Sequence, residues 1–302
     1  MSYPEILVLE QDGLVLIRGD FVDERVVDLI MRETGGLGSL PLIIADPPYG
    51  NVVPDHWDKV VETDAQFARW MVGWTKNCEM LSAPGAALYV WGGIGKPREK
   101  NKPPFRPFAR YCIQVENETG YSLVTPITWA KKRGYGIQWS YLFVREEIAY
   151  LTLGDAKHPR RFVPPLLDEK RGYAGYNPKY PAKSEYFRRT SIWSDVTEIL
   201  KGKRHTCEKP IKLAEIMILA HTLPGEWVLD PFAGSGSTGH AALKNGRRCV
   251  LVERDLETFL EMAESFGFEI PESEPPHAGL PHPRTTLFER RVSWGRRRFR
   301  RH

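Results

Sequence analysis

Two short stretches carry residue types that could do chemistry. The first is "LIIADPPYG", residues 42–50. Leu42 to Ala45 form an apolar run of strand length, and prolines then end it, because proline brings no N–H to a ladder. Asp46 therefore stands at a strand tip, Pro47 and Pro48 stiffen the turn, and Tyr49 follows. Alone, the pattern would fit a capping acid beneath a surface ring. The second stretch is "WVLDPFAGSGSTGHAALKNGRRCVLVERD", residues 227–255. Gly234, Gly236 and Gly239 satisfy G-x-G-x-x-G, with Glu253 about twenty residues further on, as a dinucleotide fingerprint requires.

One detail opposes the dinucleotide reading. A pyrophosphate needs backbone N–H groups and a helix N-terminus close behind the strand. Here Asp230 and Pro231 occupy the strand tip, where a carboxylate repels a diphosphate. It suits a cofactor that carries positive charge. S-adenosylmethionine has an ammonium, a sulfonium and no phosphate, and Glu253 could accept from its ribose hydroxyls. The glycines then serve close backbone approach. A plain strand–helix turn would leave unexplained why Asp230 and Glu253 end consecutive strands.

The elements that must position these stretches read as an α/β domain. Residues 5–18 alternate like a hairpin with a turn at Asp12-Gly13, and "FVDERVVDLIMRET" is helical up to Gly35-Gly36. Phe67, Trp70, Met71 and Trp74 recur at helical spacing, and "GAALYVWGG" is a buried strand. "YSLVTPITWAKK" and "YLFVREEIAYLTLG" are β-like. A helix opens near Pro210, and strands 226–230 and "RCVLVERD" flank the glycine turn. Helices alternating with buried strands predict a mostly parallel sheet. Residues 154–190 break the rhythm with Pro, Gly, Tyr, Lys and Arg and read as a loop-rich insert. Residues 271–302 read as a proline-rich linker and an arginine tail.

A hydrophobic content of 42% and a charged content of 26% fit a globular soluble chain. No apolar run reaches membrane-span length and no signal-peptide pattern opens the chain, so a cytoplasmic protein without a membrane partner is expected. Four scattered cysteines, Cys78, Cys112, Cys207 and Cys249, suit reduced thiols and argue against a metal site. The net charge of +4 is unevenly spread: residues 130–205 hold 16 Lys/Arg against 8 Asp/Glu, and the last thirteen residues add seven arginines. The remainder is near −11, so the basic surfaces point to a polyanion. Lys131, Lys132, Arg133, Arg160, Arg161, Arg188 and Arg189, with Tyr173, Tyr176, Tyr180 and Tyr186 between them, are the candidate contacts to it.

Taken together, "DPPYG" and "DPFAGSGST" resemble the two signature motifs of the S-adenosylmethionine-dependent DNA amino-methyltransferases. The catalytic motif precedes the cofactor motif by about 180 residues, with the basic insert between, which is similar to the β group of that family. "HTCEKP" (205–210) resembles the family's H-P-T-x-K-P element, with Thr206 and Cys207 departing from it, and "IRGD" (17–20) resembles its N-G-D element. The resemblance covers roughly residues 14–260. It implies a Rossmann-like methyltransferase sheet flanked by helices, a catalytic domain over residues 1–270, and a target-recognition insert at 154–195. It further implies cofactor contacts from Asp20, Asp46, Lys209, Asp230, Phe232, Gly234, Gly236, Ser237 and Glu253. The implied substrate is double-stranded DNA, and a cognate restriction endonuclease and a homodimeric partner come into view as partners.

The first stretch then reads chemically. An exocyclic base amine is a poor nucleophile because its lone pair is delocalised into the ring. Asp46 and the carbonyl of Pro47 could accept its two N–H groups on the turn that Pro48 stiffens, while Tyr49 stacks on a base taken out of the duplex. Asp rather than Ser at position 46 points, within the family, to adenine N6. Cytosine N4 on the same scaffold, an inactive DNA-binding homologue and a nucleotide-dependent oxidoreductase are the alternatives. His56, Asp58 and His205 read as loop or structural residues, Asp255 as a helix N-cap, and Trp91 and Trp129 as core aromatics as readily as pocket walls.

Overall fold

A computed structural model describes residues 5–49, 63–93, 106–135, 141–170, 185–199 and 208–269. The chain opens with β1 (Leu7–Gln11), β2 (Leu14–Arg18), α1 (Glu24–Thr34), β3 (Leu40–Ala45), α2 (Asp64–Leu81) and β4 (Ser82–Gly92). The middle holds α3 (Pro107–Glu118), β5 (Tyr121–Tyr135), β6 (Phe143–Leu153), β7 (Leu166–Lys170), β8 (Tyr186–Arg188) and β9 (Ile192–Trp193). It continues with α4 (Ile211–His221), β10 (Trp227–Asp230), α5 (Ser237–Lys244), β11 (Arg248–Glu253) and α6 (Leu256–Ser265).

One mixed sheet runs β1-β2-β11-β10-β3-β4-β6-β5-β9, and β7 pairs with β8 in a separate two-stranded sheet. The expected parallel sheet forms its centre, where β2, β11, β10, β3 and β4 are mutually parallel. The side beyond β4 is antiparallel, because the two β-like runs 121–135 and 143–153 pair with one another and β6 pairs back onto β4. The β1–β2 turn has positive φ at both Asp12 and Gly13, the geometry a tight two-residue hairpin needs.

Strand alternation divides the core into two layers. On β4, Ala87, Tyr89 and Trp91 pack among residues of α4, α5 and α6, whereas Leu88 and Val90 pack among residues of α1, α2 and α3. Local signals set the helix ends. Asp23 accepts from Arg25 N–H at the start of α1, which Gly35 ends in the left-handed conformation. Thr63 and Gln66 form a reciprocal capping box on α2, and Asp255 caps α6 as expected. Trp91 and Trp129 are both buried in the core.

The insert is divided. β9 joins the main sheet parallel to β5, while β7 and β8 stand apart. His56, Asp58, Tyr173, Tyr176, Tyr180, His205, Thr206, Cys207 and the tail after 269 lie outside the described residues. None of the described helices is long and apolar enough to cross a membrane, and no described group of His, Cys, Asp and Glu could hold a metal ion.

Gly92, the last residue of β4, makes room for α3: a Cβ there would lie 1.9 Å from the Phe108 ring. Gly92→Ala is expected to cost about 1–3 kcal/mol by overpacking. Urea denaturation measures this, and an unchanged midpoint would contradict the packing described.

Candidate active site

Four acids stand at the same edge of the sheet. Asp20 follows β2, Glu253 ends β11, Asp230 ends β10 and Asp46 follows β3, and these four strands are neighbours running in one direction. Parallel pairing therefore brings together residues from three separate stretches of the sequence. The C-terminal edge of such a sheet is where α/β folds bind ligands.

The glycine turn lies between Asp230 and α5. Gly234 has φ +51, and a Cβ there would meet nothing within 4 Å, so the backbone faces open space. Gly236, with φ +79, is the cap residue of α5, and Gly239 lets that helix close on Leu251 of β11. Asp230 is only 5% exposed. Its carboxylate accepts Phe232 N–H at 3.0 Å and Thr238 O–H at 2.6 Å, so it holds the turn as well as charging it. Glu253 accepts N–H groups from Gly234 and Asp255 at 2.9 and 2.8 Å. Phe232 packs edge-on to Trp74 at 5.1 Å and near Trp70 and Phe21. Asp20 accepts from Val22 N–H and lies 3.3 Å from the exposed Arg254 guanidinium.

Burial drives the electrostatics. It pushes Asp230 up to about 7 against its two hydrogen bonds, with Asp46 and Glu253 adding to the rise. Glu253 is likewise raised by burial, against the N–H groups it accepts. These acids favour a ligand that brings positive charge and disfavour a diphosphate.

The proline turn forms the other half. Tyr49 O–H donates to Asp46 Oδ1 at 2.8 Å, and Lys209 Nζ donates to Asp46 Oδ2 at 2.5 Å. Pro47 is buried, and Pro48 and Tyr49 border a small cleft with Phe67, Trp91 and Phe108. The Tyr49 ring lies so close to Gly93 that a Cβ there would meet it at 3.3 Å. Burial raises the Asp46 carboxyl, Lys209 opposes this, and a second acid, Glu146 on β6, adds to the rise. Lys209 also joins the two halves, because its carbonyl accepts Ser237 O–H at 3.0 Å.

Glu146 is the residue missing from the sequence reading. Its Oε2 lies 3.1 Å from the Tyr49 hydroxyl and 3.3 Å from Lys209 Nζ, and its Oε1 pairs with Lys131. Burial raises its carboxyl, but Lys209 and Lys131 outweigh that and leave it below the usual range. The only signal lay in strand register, which sets Glu146 opposite Trp129, two residues before Lys131.

The seven basic candidates separate. Lys131 faces Glu146, Arg160 pairs with Glu226 at 2.6 Å, and Arg189 pairs with Asp195 beside the Trp193 ring. The carbonyl of Arg161 is hydrogen-bonded to His221 Nδ1 at 2.8 Å. Lys132 and Arg133 are exposed on an irregular part of β5 whose N–H groups Glu198 accepts. Arg188 is exposed on β8 near the Phe162 ring.

Residues 40–265 match the family model described as DNA methylase, covering N6 and N4 enzymes. The DNA adenine methyltransferase YhdJ of Escherichia coli is 27% identical over 232 residues, 72% of this chain and 73% of that protein. The type II methyltransferase M.MthZI of Methanothermobacter thermautotrophicus is 23% identical over 75% of this chain and 71% of its own. Among solved structures, the cytosine-N4-specific PvuII DNA methyltransferase superposes with a TM-score of 0.62 at 16% identity, over 87% of this chain and 89% of that one. The Thermus thermophilus protein TTHA0409, a putative DNA modification methylase solved with S-adenosyl-L-methionine, gives 0.58 at 22% identity, over 87% and 96%. With the acid-edged sheet, the glycine turn and the proline turn in place, the chain belongs to the N6/N4 DNA methylase family of S-adenosylmethionine-dependent DNA amino-methyltransferases.

Proposed function

We propose that this protein methylates the exocyclic N6 of adenine in double-stranded DNA at a specific sequence. The observation that carries the reading is the pairing of Asp46 and Tyr49 on one rigid turn with a cation-accepting glycine turn on the adjacent strand. When bound, S-adenosylmethionine supplies an electrophilic methyl group on a sulfonium. Asp230 would bring negative charge toward its cationic groups and Glu253 would accept from its ribose hydroxyls, while Gly234, Gly236 and Ser237 would present backbone and hydroxyl at its turn. Phe232 and Asp20 border the same edge, and the Lys209 backbone ties that edge to the catalytic turn.

Asp46 accepts one N–H of the target amine and the Pro47 carbonyl accepts the other, so the nitrogen lone pair is released from the ring. Tyr49 stacks on the extruded base. Catalysis is by orientation and fixed acceptors, with no covalent enzyme intermediate. Lys132, Arg133 and Arg188 are the best placed of the basic residues for phosphate contacts, being exposed. Lys131, Arg160 and Arg189 have carboxylate partners within the protein.

Adenine is favoured by Asp at position 46 and by the named activity of the E. coli relative. Cytosine N4 is the second reading, favoured by the likeness to the PvuII enzyme. Tritiated methyl transfer to unmethylated genomic DNA, followed by nucleoside chromatography, is expected to yield N6-methyladenine. Label in N4-methylcytosine would overturn the base assignment. Asp46→Ala is expected to lower turnover by a factor of roughly 100 or more. Wild-type turnover in that variant would sink the mechanism.

A further inference from the structure

The Tyr49 hydroxyl and the Lys209 ammonium lie between two carboxylates, Asp46 and Glu146. Both oxygens of Asp46 are already engaged, Oδ1 by the Tyr49 hydroxyl and Oδ2 by the Lys209 ammonium. A target amine that takes the lone pair facing either donor competes with that donor for Asp46. A hydroxyl has a single proton, so Tyr49 can donate to Asp46 or to Glu146 but not to both at once. Glu146 Oε2 lies 3.1 Å from that hydroxyl and 3.3 Å from Lys209 Nζ, within reach of both donors.

We propose that Glu146 is a positioning residue that takes over Tyr49 and Lys209 when the target amine occupies Asp46. The hand-over rests on the methyl-transfer reading above. It needs only short movements, because the second acceptor lies beside the first. Lys131 fixes the acceptor in place by pairing with the other oxygen of Glu146 and resting 5.0 Å from the centroid of the Trp129 ring. The four charged groups, two carboxylates and two ammoniums, balance before and after the exchange. An unaccompanied ammonium in this half-buried place would be costly, so Lys209 leaves Asp46 readily only where another carboxylate waits.

The pH dependence of the reaction distinguishes this role from simple bracing. Among the described residues, the titratable groups around Asp46 are Tyr49 on its own turn, Lys209 before α4, Glu146 on β6, Lys131 on β5 and Asp230 on β10. Asp46 works as a carboxylate, so activity falls as pH drops through its pKa. Glu146 adds to the rise of that pKa, and removing its charge moves the acid limb to lower pH.

The test uses the full chain, S-adenosylmethionine and unmethylated genomic DNA. Glu146→Gln keeps size and one acceptor oxygen but removes the charge. It is expected to lower kcat about tenfold or more, with KM for DNA little changed. The acid limb of kcat/KM is expected to move to lower pH, while Glu146→Asp keeps the wild-type limb. An unchanged kcat, or a lower kcat with an unmoved limb, would overturn the hand-over. Should Glu146→Gln fail to fold, a crystal structure of the wild-type enzyme decides, with sinefungin and a duplex carrying the motif found by methylation-aware sequencing. Tyr49 and Lys209 on Glu146 support the proposal; either one still on Asp46, or Lys209 on the carboxylate of the cofactor analogue, overturns it. Failure of the wild-type protein to transfer any methyl group to DNA would instead strike the proposed function itself.

Discussion

Parallel hydrogen bonding between β2, β11, β10 and β3 is the constraint on which the site depends. Four strands running in one direction deliver their C-terminal residues to one edge, and in this chain those residues are Asp20, Glu253, Asp230 and Asp46. The cost is electrostatic. Burial raises Asp46, Asp230 and Glu253, and neighbouring carboxylates add to each rise. Lys209 offsets the excess at Asp46, and the rest of the edge is left poised for a ligand that brings positive charge.

The two turns solve different problems with different residues. The glycine turn needs positive φ and an open backbone face, which Gly234 and Gly236 supply, and Asp230 ties it down through Phe232 and Thr238. The proline turn supplies rigidity, and in the proposed reaction an acceptor that aligns an amine loses its value if it moves. Lys209 couples the two, its carbonyl on Ser237 and its amine on Asp46.

Much of this was legible in the sequence, for identifiable reasons. Apolar runs ended by Asp-Pro at residues 46 and 230 marked both strand tips, and the turn at Asp12-Gly13 and the cap at Asp255 followed from local chemistry. The opposed pair β5 and β6 was visible only as two β-like runs, and their antiparallel register was not. Glu146 was lost with that register, because its partners Tyr49, Lys131 and Lys209 are distant in sequence and no local motif marks it. Lys131 was grouped with basic residues by composition, yet register turns its amine toward the acid cluster. The clamp from Thr238 onto Asp230 was equally hidden, being a contact across the turn that spacing does not announce.

Asp230, pushed up to about 7 by burial, is held partly protonated until a cationic methyl donor meets it. Titration calorimetry of S-adenosylmethionine binding near pH 7, repeated in buffers of different ionisation enthalpy, tests this most directly. Asp230, pushed up to about 7, is predicted to give up its proton when the donor binds, so binding releases protons to the buffer. Binding with no proton release, or with net uptake, would contradict the account.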